Sequence, residues 1–170
     1  MIFPSFIVIE NFYENPEKVR EYALMQQYIT HAGYPGKRTI VSYYPDHIHN
    51  VLKTILAPYF SNIDIWHNTS NGEFQITNKY DETWVHRDRA DNIKTTISGV
   101  CYLTPNPPAE SGTIFFERDV DQKYMLTDRV ANKFNRLILF NGNIFHSSDK
   151  YFGSTDIDSR LTQVFFLECS

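Results

Sequence analysis

"NRLILFNGNIFHSS", residues 135–148, consists of two short runs of Leu, Ile and Phe that flank Asn141-Gly142. An Asn-Gly pair between two apolar runs is the strongest short-range signal for a β-hairpin. The sequence therefore predicts two antiparallel strands joined at Asn141-Gly142, with His146 on the returning strand.

Similar short runs, rich in β-branched and aromatic residues and bounded by Gly, Asn, Pro or Asp, fill most of the chain after residue 60. They are "IDIWHNT", "EFQITNKY", "TTISGVCYLT", "GTIFFE" and "RLTQVFFLE". Many short strands separated by turn residues are typical of a β-sandwich or barrel. The predicted fold class is mainly β, with mostly antiparallel strands.

Two helices are predicted in front of this β region. The first begins at Pro16, with Asn15 as its N-cap, and its periodic positions are Val19, Tyr22, Ala23 and Gln26. The second covers about residues 45–59, where the apolar residues at helical spacing are Ile48, Val51, Leu52, Ile55 and Leu56. The opening "MIFPSFIVIENF" has no basic region and a broken apolar run, so it predicts a first strand and not a signal peptide.

Length and composition favour one domain. A chain of 170 residues with 42% hydrophobic and 15% aromatic content can bury a substantial core. We expect a single domain over residues 1–170, with a β core at about 73–168 and a helical part at about 15–60. A net charge of -4 and the absence of a Lys/Arg-rich run argue against generic nucleic-acid binding.

The cysteine content and the hydropathy indicate the compartment. Cys101 and Cys169 lie in apolar, strand-like surroundings, where a free thiol behaves as a small core residue. No stretch approaches the roughly 18 apolar residues of a membrane span. We expect a cytoplasmic protein that does not bind membranes.

The stretch "WVHRD" at residues 84–88 places an imidazole and a carboxylate two positions apart. In an extended segment His86 and Asp88 share a face, whereas the residue between them points the other way. With His146 they would form the two-histidine, one-carboxylate set of non-haem Fe(II) oxygenases, which leaves coordination positions open for substrates. Arg160 follows His146 by fourteen residues, at the start of the last strand.

Each of these residues also has a structural interpretation when it is taken alone. His86 with Asp88 fits a surface ion pair, and His146 fits a hydrogen-bonded strand histidine. Arg160 alone would usually be a solvated charge. Their order and their placement on separate strands favour the iron site.

With these residues the chain resembles the 2-oxoglutarate- and Fe(II)-dependent dioxygenase superfamily over about residues 73–168. The superfamily pattern is His-x-Asp, a distal His and an Arg on the following strands. The resemblance implies a double-stranded β-helix, or jelly roll, with the N-terminal helices packed on it. It also implies that His86, Asp88 and His146 bind iron and that Arg160 binds the distal carboxylate of 2-oxoglutarate.

The stretch "ISGVCYLTPNPPAESGTIFF" at 97–116 resembles the prolyl-hydroxylase branch in particular. There Tyr102 matches a tyrosine that hydrogen-bonds the same carboxylate. Thr162 shares a face with Arg160 and is a further candidate donor to that carboxylate. Two features depart from the branch: its loop often has paired glycines where this chain has Ser111-Gly112, and the spacing from His to Arg is closer to other branches.

Residues that would contact a substrate are less clearly marked. Asn78, Tyr80 and Trp84 suit either a pocket wall or barrel packing. The stretch "GYPGKRT" at 33–39 is predicted to be an ordered loop, and the hypothesis for its cationic pair, Lys37 and Arg38, is contact with an anionic substrate group.

The chemistry that the resemblance implies is oxidative decarboxylation of 2-oxoglutarate by O₂ on Fe(II), with ascorbate as a candidate stimulant. The product would be a hydroxylated or oxidatively demethylated substrate, either a small molecule or a protein side chain. Asp88 argues against halogenation, because related halogenases lack this carboxylate. No catalytic residue is predicted beyond the metal ligands, and a homo-oligomer is compatible with the sequence.

Two other classes of protein compete with the oxygenase. A cupin-like barrel that binds a metal or ligand without catalysis would generally show a His-x-His pair with a Glu and a third His, which this sequence lacks. A structural module of a virion or surface assembly would need no converging ligands. The fold alone does not distinguish these classes of protein, so the residues of the site must distinguish them.

Overall fold

The computed structural model describes residues 2–65, 71–88 and 95–170. Two α-helices, α1 and α2, span Pro16–Leu24 and Asp46–Leu56, and a short 3-10 turn spans Ala109–Ser111. The strands, in chain order, are β1 Phe6–Ile9, β2 Tyr28–Thr30, β3 Lys37–Thr39, β4 Ile63–Ile65, β5 Phe74–Thr77, β6 Thr95–Tyr102, β7 Thr113–Arg118, β8 Tyr124–Val130, β9 Leu137–Asn141, β10 Phe145–Ser148 and β11 Arg160–Cys169. The prediction of a mainly β protein with two helices is confirmed.

The strands form two sheets. The major sheet has the order β1-β9-β6-β11-β5-β3-β2, and β4 also pairs with β11. The minor sheet has the order β10-β7-β8. Every strand pair in both sheets is antiparallel, as the short runs predicted.

Both helices pack against one face of the major sheet. Val19 and Ala23 of α1 and Leu52 of α2 belong to the same buried cluster as the strand residues Phe74, Ile76, Ile97, Leu161 and Phe165. Full burial of one such side chain stabilises the fold by about 1.5–3 kcal/mol. This cluster is the main core of the protein.

The opposite face of the major sheet faces the minor sheet. A second, smaller apolar cluster joins them: Tyr102, Ile138 and Phe140 come from the major sheet, and Phe115 and Val130 come from the minor sheet. The ring of Phe115 meets that of Phe140 edge-on at 5.3 Å between centroids. Because this cluster fills only part of the space between the sheets, the remainder is available for a cavity.

The predicted hairpin at Asn141-Gly142 is wrong. Strand β9 pairs with β1 and β6 in the major sheet, whereas β10 pairs with β7 in the minor sheet. The two-residue hairpin turn favoured by Asn-Gly needs positive φ at both residues, and neither residue has it. The Ile144 amide instead donates to the Asn141 carbonyl at 2.9 Å, so that an ordinary turn carries the chain from one sheet to the other.

The other differences lie in weakly patterned segments. The stretch "GYPGKRT" is a loop only in part, because β3 pairs with both β2 and β5. Strands β2 and β8 have no counterpart among the predicted runs, and β8 is exposed along nearly its whole length, so it lacks an apolar alternation. Of "IDIWHNT", Ile63–Ile65 forms β4, and residues 66–69 lie outside the described residues. Within the described ranges, no helix is both long and apolar enough to cross a membrane.

Candidate metal centre

The segment that carries His86 and Asp88 is bound to the turn and strand that carry His146. His86 and His146 exchange two backbone hydrogen bonds, at 3.0 and 2.9 Å, in an isolated antiparallel bridge. The Asp88 amide donates to the Gly142 carbonyl at 2.9 Å. Two sequence segments 60 residues apart are thereby held side by side.

The three side chains converge on one point. The Nε2 atom of His86 lies 3.5 Å from Oδ1 of Asp88, and Nε2 of His146 lies 3.5 Å from Oδ2 of Asp88. One potential ligand atom from each residue lies within 4.8 Å of the other two. Metal–ligand bonds of about 2.1 Å put neighbouring ligand atoms about 3 Å apart, so a single ion fits after a small contraction.

Both histidines are oriented by backbone carbonyls. Nδ1 of His86 lies 3.1 Å from the Trp84 carbonyl oxygen, and Nδ1 of His146 lies 2.9 Å from that of Ile144. A carbonyl can only accept, so each Nδ1 carries a proton, and Nε2 is the ring nitrogen that is directed toward Asp88 and would bind a metal ion. This use of the second ring nitrogen is the usual arrangement of metal-binding histidines.

Ser98 orients the carboxylate. Its Oγ donates to Oδ2 of Asp88 at 2.5 Å, from the cavity face of β6. Ser98 is 1% exposed, so the contact is protected from water. A serine in a strand gives no sequence signal of such a role, which becomes visible only when Asp88 is placed beside β6.

The charges of the site suit a cation. Burial would raise the pKa of Asp88, but the imidazole of His146 and hydrogen bonds from His86 and Ser98 outweigh it, so the pKa is lowered. Burial lowers the pKa of His146. Burial also acts to lower the pKa of His86, but the hydrogen bond with Asp88 prevails and raises it. The centre is therefore an anionic carboxylate between two imidazoles.

A cavity of about 670 Å³ adjoins the three residues and is lined by both sheets. Its lining includes the triad together with Trp84, Ser98, Thr113, Arg160 and Thr162. Cavities of this size are typical of small-molecule sites.

Arg160 is a buried cation in this cavity. It is 4% exposed, and its Nε donates to the Ser111 carbonyl at 2.9 Å. Its guanidinium lies 5.4 Å from the ring centroid of Tyr102 and 5.8 Å from that of Tyr151. No carboxylate pairs with it in the part of the chain that the structure describes. A buried charge is costly without a partner, so this arginine suits an anionic ligand. Thr162, 1% exposed, also lines the cavity.

Tyr102 lies behind the cavity wall and is not part of its lining. The residue is fully buried, and its hydroxyl shares a hydrogen bond of 2.7 Å with Oγ1 of Thr113. Burial raises the pKa of Tyr102, and the nearby Arg160 opposes the rise. Thr113, which does line the cavity, is a contact residue that the sequence pattern did not indicate.

Of the three candidate substrate residues, only Trp84 lines the cavity. Its side chain is 43% exposed, and its ring centroid lies 6.4 Å from that of His86. Asn78 and Tyr80 are not in the lining: Oδ1 of Asn78 accepts from the Tyr80 amide at 2.9 Å, and Tyr80 is 74% exposed. The assignment of these two residues to a substrate pocket stays a prediction, and both lie outside the lining of this cavity.

No protein-family model and no curated protein sequence matches the chain. Solved structures are similar to it. HygX from Streptomyces hygroscopicus, with nickel, 2-oxoglutarate and hygromycin B bound, has a TM-score of 0.60 at 13% identity, covering 98% of this chain and 83% of that one. A prolyl-4-hydroxylase of Pseudomonas putida has a TM-score of 0.54 at 14% identity, covering 97% and 92%.

A prolyl hydroxylase of Trichoplax adhaerens, in complex with a peptide fragment of the hypoxia inducible factor oxygen degradation domain, has a TM-score of 0.57 at 11% identity. The match covers 97% of this chain and 83% of that chain. At these identities the similarity establishes a shared fold. The fold of this chain is the one that these oxygenases have.

Proposed function

We propose that the protein is an Fe(II)- and 2-oxoglutarate-dependent oxygenase built on a double-stranded β-helix. One observation carries the proposal: two histidine Nε2 atoms and a carboxylate converge in the same cavity as a buried arginine without a carboxylate partner among the described residues. The similar HygX structure, with nickel and 2-oxoglutarate bound, supports this interpretation.

His86, Asp88 and His146 would hold the iron, since their donor set and orientation fit one divalent ion. Bound iron would supply the activation of O₂ that is coupled to decarboxylation of 2-oxoglutarate to succinate. Ser98 would fix the Asp88 carboxylate, and the Trp84 and Ile144 carbonyls would fix the two imidazoles. These contacts would hold the three metal-binding side chains in position before the metal ion binds.

Arg160 would bind the distal carboxylate of 2-oxoglutarate. A guanidinium matches a carboxylate with two parallel charge-assisted hydrogen bonds, and the contact to the Ser111 carbonyl is made through Nε and does not use the terminal nitrogens. Thr162 would add a hydroxyl donor. Tyr102 would act through Thr113, to which its hydroxyl is bound, and not by direct contact.

The reaction would be hydroxylation or oxidative demethylation, because Asp88 occupies the position that a halide would need. The substrate would be a small molecule or a side chain that enters beside Trp84. Two buried free cysteines agree with a reducing, cytoplasmic setting. A cupin-like metal binder is less well supported, because it would not need a buried cation such as Arg160.

Succinate release in the presence of Fe(II), ascorbate, O₂ and 2-oxoglutarate tests the proposal, first without and then with candidate substrates. We expect slow, metal-dependent succinate formation by the wild type and none by His146→Ala. His49→Ala is the matched control, because His49 bonds the Tyr44 hydroxyl outside the cavity lining. A wild type that neither binds 2-oxoglutarate nor forms succinate would contradict the proposal.

A further inference from the structure

A second arginine, Arg38, lines the cavity from β3, the strand next to one edge of the major sheet. In the strand register, Arg38 on β3 lies opposite Gln75 on β5, and Gln75 lies opposite Thr162 on β11. Residues directly opposite each other in adjacent strands project to the same face. Arg38 therefore continues the row of polar side chains that includes the proposed 2-oxoglutarate residue Thr162.

The Arg38 side chain is held in position by its neighbours. Its Nε donates to Oε1 of Gln75 at 3.1 Å, and its guanidinium lies 4.3 Å from the ring centroid of Tyr34. Nε2 of Gln75 in turn donates to the Pro35 carbonyl at 2.8 Å, which ties the 33–36 loop to the sheet. The loop needs glycine at Gly36, where φ is +66° and a Cβ would lie 2.1 Å from the Ile76 carbonyl oxygen.

Arg38 retains unused hydrogen-bond donors. Its terminal nitrogens make no hydrogen bond and its guanidinium forms no ion pair with any described residue. The adjacent Lys37 differs, because its ammonium pairs with Asp156 at 2.7 Å. Of the two cations in "GYPGKRT", only Arg38 lines the cavity and is available to a ligand.

The cofactors would not use this charge. A divalent iron, the Asp88 carboxylate, the 2-oxoglutarate dianion and the Arg160 guanidinium together carry no net charge. The other charged side chains in the described lining are Arg38, Arg87 and Glu73, so the site keeps a net positive charge, and guanidinium groups remain protonated in proteins. Burial lowers the pKa of Arg38, and Glu73 partly opposes that effect.

Glu73 is the only other carboxylate in the described lining of the cavity besides Asp88. It forms no ion pair with Arg38, so it does not occupy the terminal nitrogens of the guanidinium. Glu73 is also useful experimentally, because its removal changes the charge of the same cavity in the opposite direction.

We propose that Arg38 is a specificity-determining residue that binds an anionic group, a carboxylate or a phosphate, on the substrate to be oxidised. The proposal rests on the proposed function, since it assigns Arg160 to 2-oxoglutarate and Arg38 to the substrate. Held by Gln75 and Tyr34, the Arg38 guanidinium offers a preorganised pair of donors to one side of the metal centre. Substrates without an anionic group would leave this cation unpaired and would bind less well.

The test uses Mn(II)-loaded protein saturated with 2-oxoglutarate, and binding is followed by ligand-observed NMR. The probes are matched pairs of small molecules: carboxylic acids with their carboxamides, and phosphate esters with their parent alcohols. We expect at least some anionic members to bind the wild type more tightly than their neutral partners, by roughly 10- to 100-fold for a charge-assisted contact. Comparison of the carboxylic acids with the phosphate esters shows which anionic group the protein prefers.

Arg38→Gln should abolish this preference, and Arg38→Lys should keep part of it. Arg118→Gln is the matched control, because Arg118 is exposed on β7 and is not in the lining of this cavity; it should retain the preference. Glu73→Gln should retain or strengthen it.

The outcomes separate this proposal from the proposed function. Loss of the preference in Arg38→Gln with unchanged 2-oxoglutarate affinity supports the proposal. A wild type that binds 2-oxoglutarate but shows no preference for any anionic probe, or a preference that persists in Arg38→Gln, overturns it and leaves the oxygenase assignment standing. Loss of 2-oxoglutarate binding in Arg38→Gln would also overturn it, because Arg38 would then be a cosubstrate residue.

Discussion

The two faces of the major sheet are both buried but differ in composition. Toward the helices, strands β5, β6 and β11 present apolar side chains, which are Phe74, Ile76, Ile97, Cys101, Leu161, Phe165 and Leu167. Toward the cavity the same strands present many polar ones, which include Gln75, Ser98, Arg160 and Thr162. The alternation within each strand assigns one set of residues to the core and the other to the cavity.

The difference separates stability from function. Apolar burial drives folding, whereas polar groups buried on the cavity face cost free energy unless they find partners. Arg160 is the clearest case, since its guanidinium has no carboxylate partner among the described residues. We therefore expect mutations on the helix face to change the free energy of unfolding and mutations on the cavity face to change ligand binding.

The largest effect is expected on the helix face. Phe165 is fully buried, and its ring contacts those of Phe12 and Tyr44. Phe165→Ala should lower the free energy of unfolding by about 3–5 kcal/mol, measured by urea denaturation. Thr162→Val on the other face of β11 replaces a hydroxyl with a methyl group and should change it by no more than about 1.5 kcal/mol, the net contribution of one hydrogen bond. Equal losses in the two variants would remove the distinction between the faces.

A large effect on binding is expected from Arg160→Leu. It should weaken 2-oxoglutarate binding by about 2–5 kcal/mol, because the ligand carboxylate loses its buried partner. The free energy of unfolding should not fall, since the change removes a buried charge. Calorimetric titration and denaturation measure the two quantities, with Arg118→Leu, which alters an exposed arginine on β7, as the control. Unchanged 2-oxoglutarate affinity would speak against the role of Arg160.

A smaller effect is expected at the contact that orients the metal ligand. Ser98→Ala removes the hydrogen bond to Asp88 and should weaken Mn(II) binding roughly 10- to 100-fold, as loss of such orienting contacts typically does. Metal titration monitored by paramagnetic relaxation measures it. Ser42→Ala, at an exposed position outside the cavity lining, should have no effect. An undiminished affinity in Ser98→Ala would show that Asp88 does not need this contact.

The smallest effect is expected behind the cavity wall. Tyr102→Phe removes a hydroxyl that contacts Thr113 and should weaken 2-oxoglutarate binding by about 1 kcal/mol, measured by the same titration. A loss as large as that of Arg160→Leu would mean that the hydroxyl contacts the ligand directly, as the resemblance to prolyl hydroxylases implied.

Local patterns predicted much of this structure. The helix that starts at Pro16 was recognisable because its apolar residues recur at helical spacing. The run "RLTQVFFLE" was recognisable because its apolar and aromatic composition is typical of a buried strand. His86, Asp88, His146 and Arg160 could be singled out because their chemistry and order are unusual together. All four line one cavity in the folded chain.

The remaining features depend on contacts between distant segments. The sheet to which β10 belongs is decided by pairing with β7, a strand that lies far from Asn141-Gly142 in the sequence. Strand β8 lacks a pattern because it is exposed. Ser98 and Thr113 acquire their roles only when the strand register places them beside Asp88 and Tyr102.

The most direct test of the central claim is to titrate 2-oxoglutarate into wild-type protein before and after metal removal by a chelator, with far-UV circular dichroism recorded on both samples. The helix-face core does not include the metal ligands. We therefore predict that the metal-free protein keeps its β-sheet signal but loses tight 2-oxoglutarate binding, and that Mn(II) restores the binding. Unfolding on metal removal, or no 2-oxoglutarate binding by the metal-loaded protein, would contradict the account.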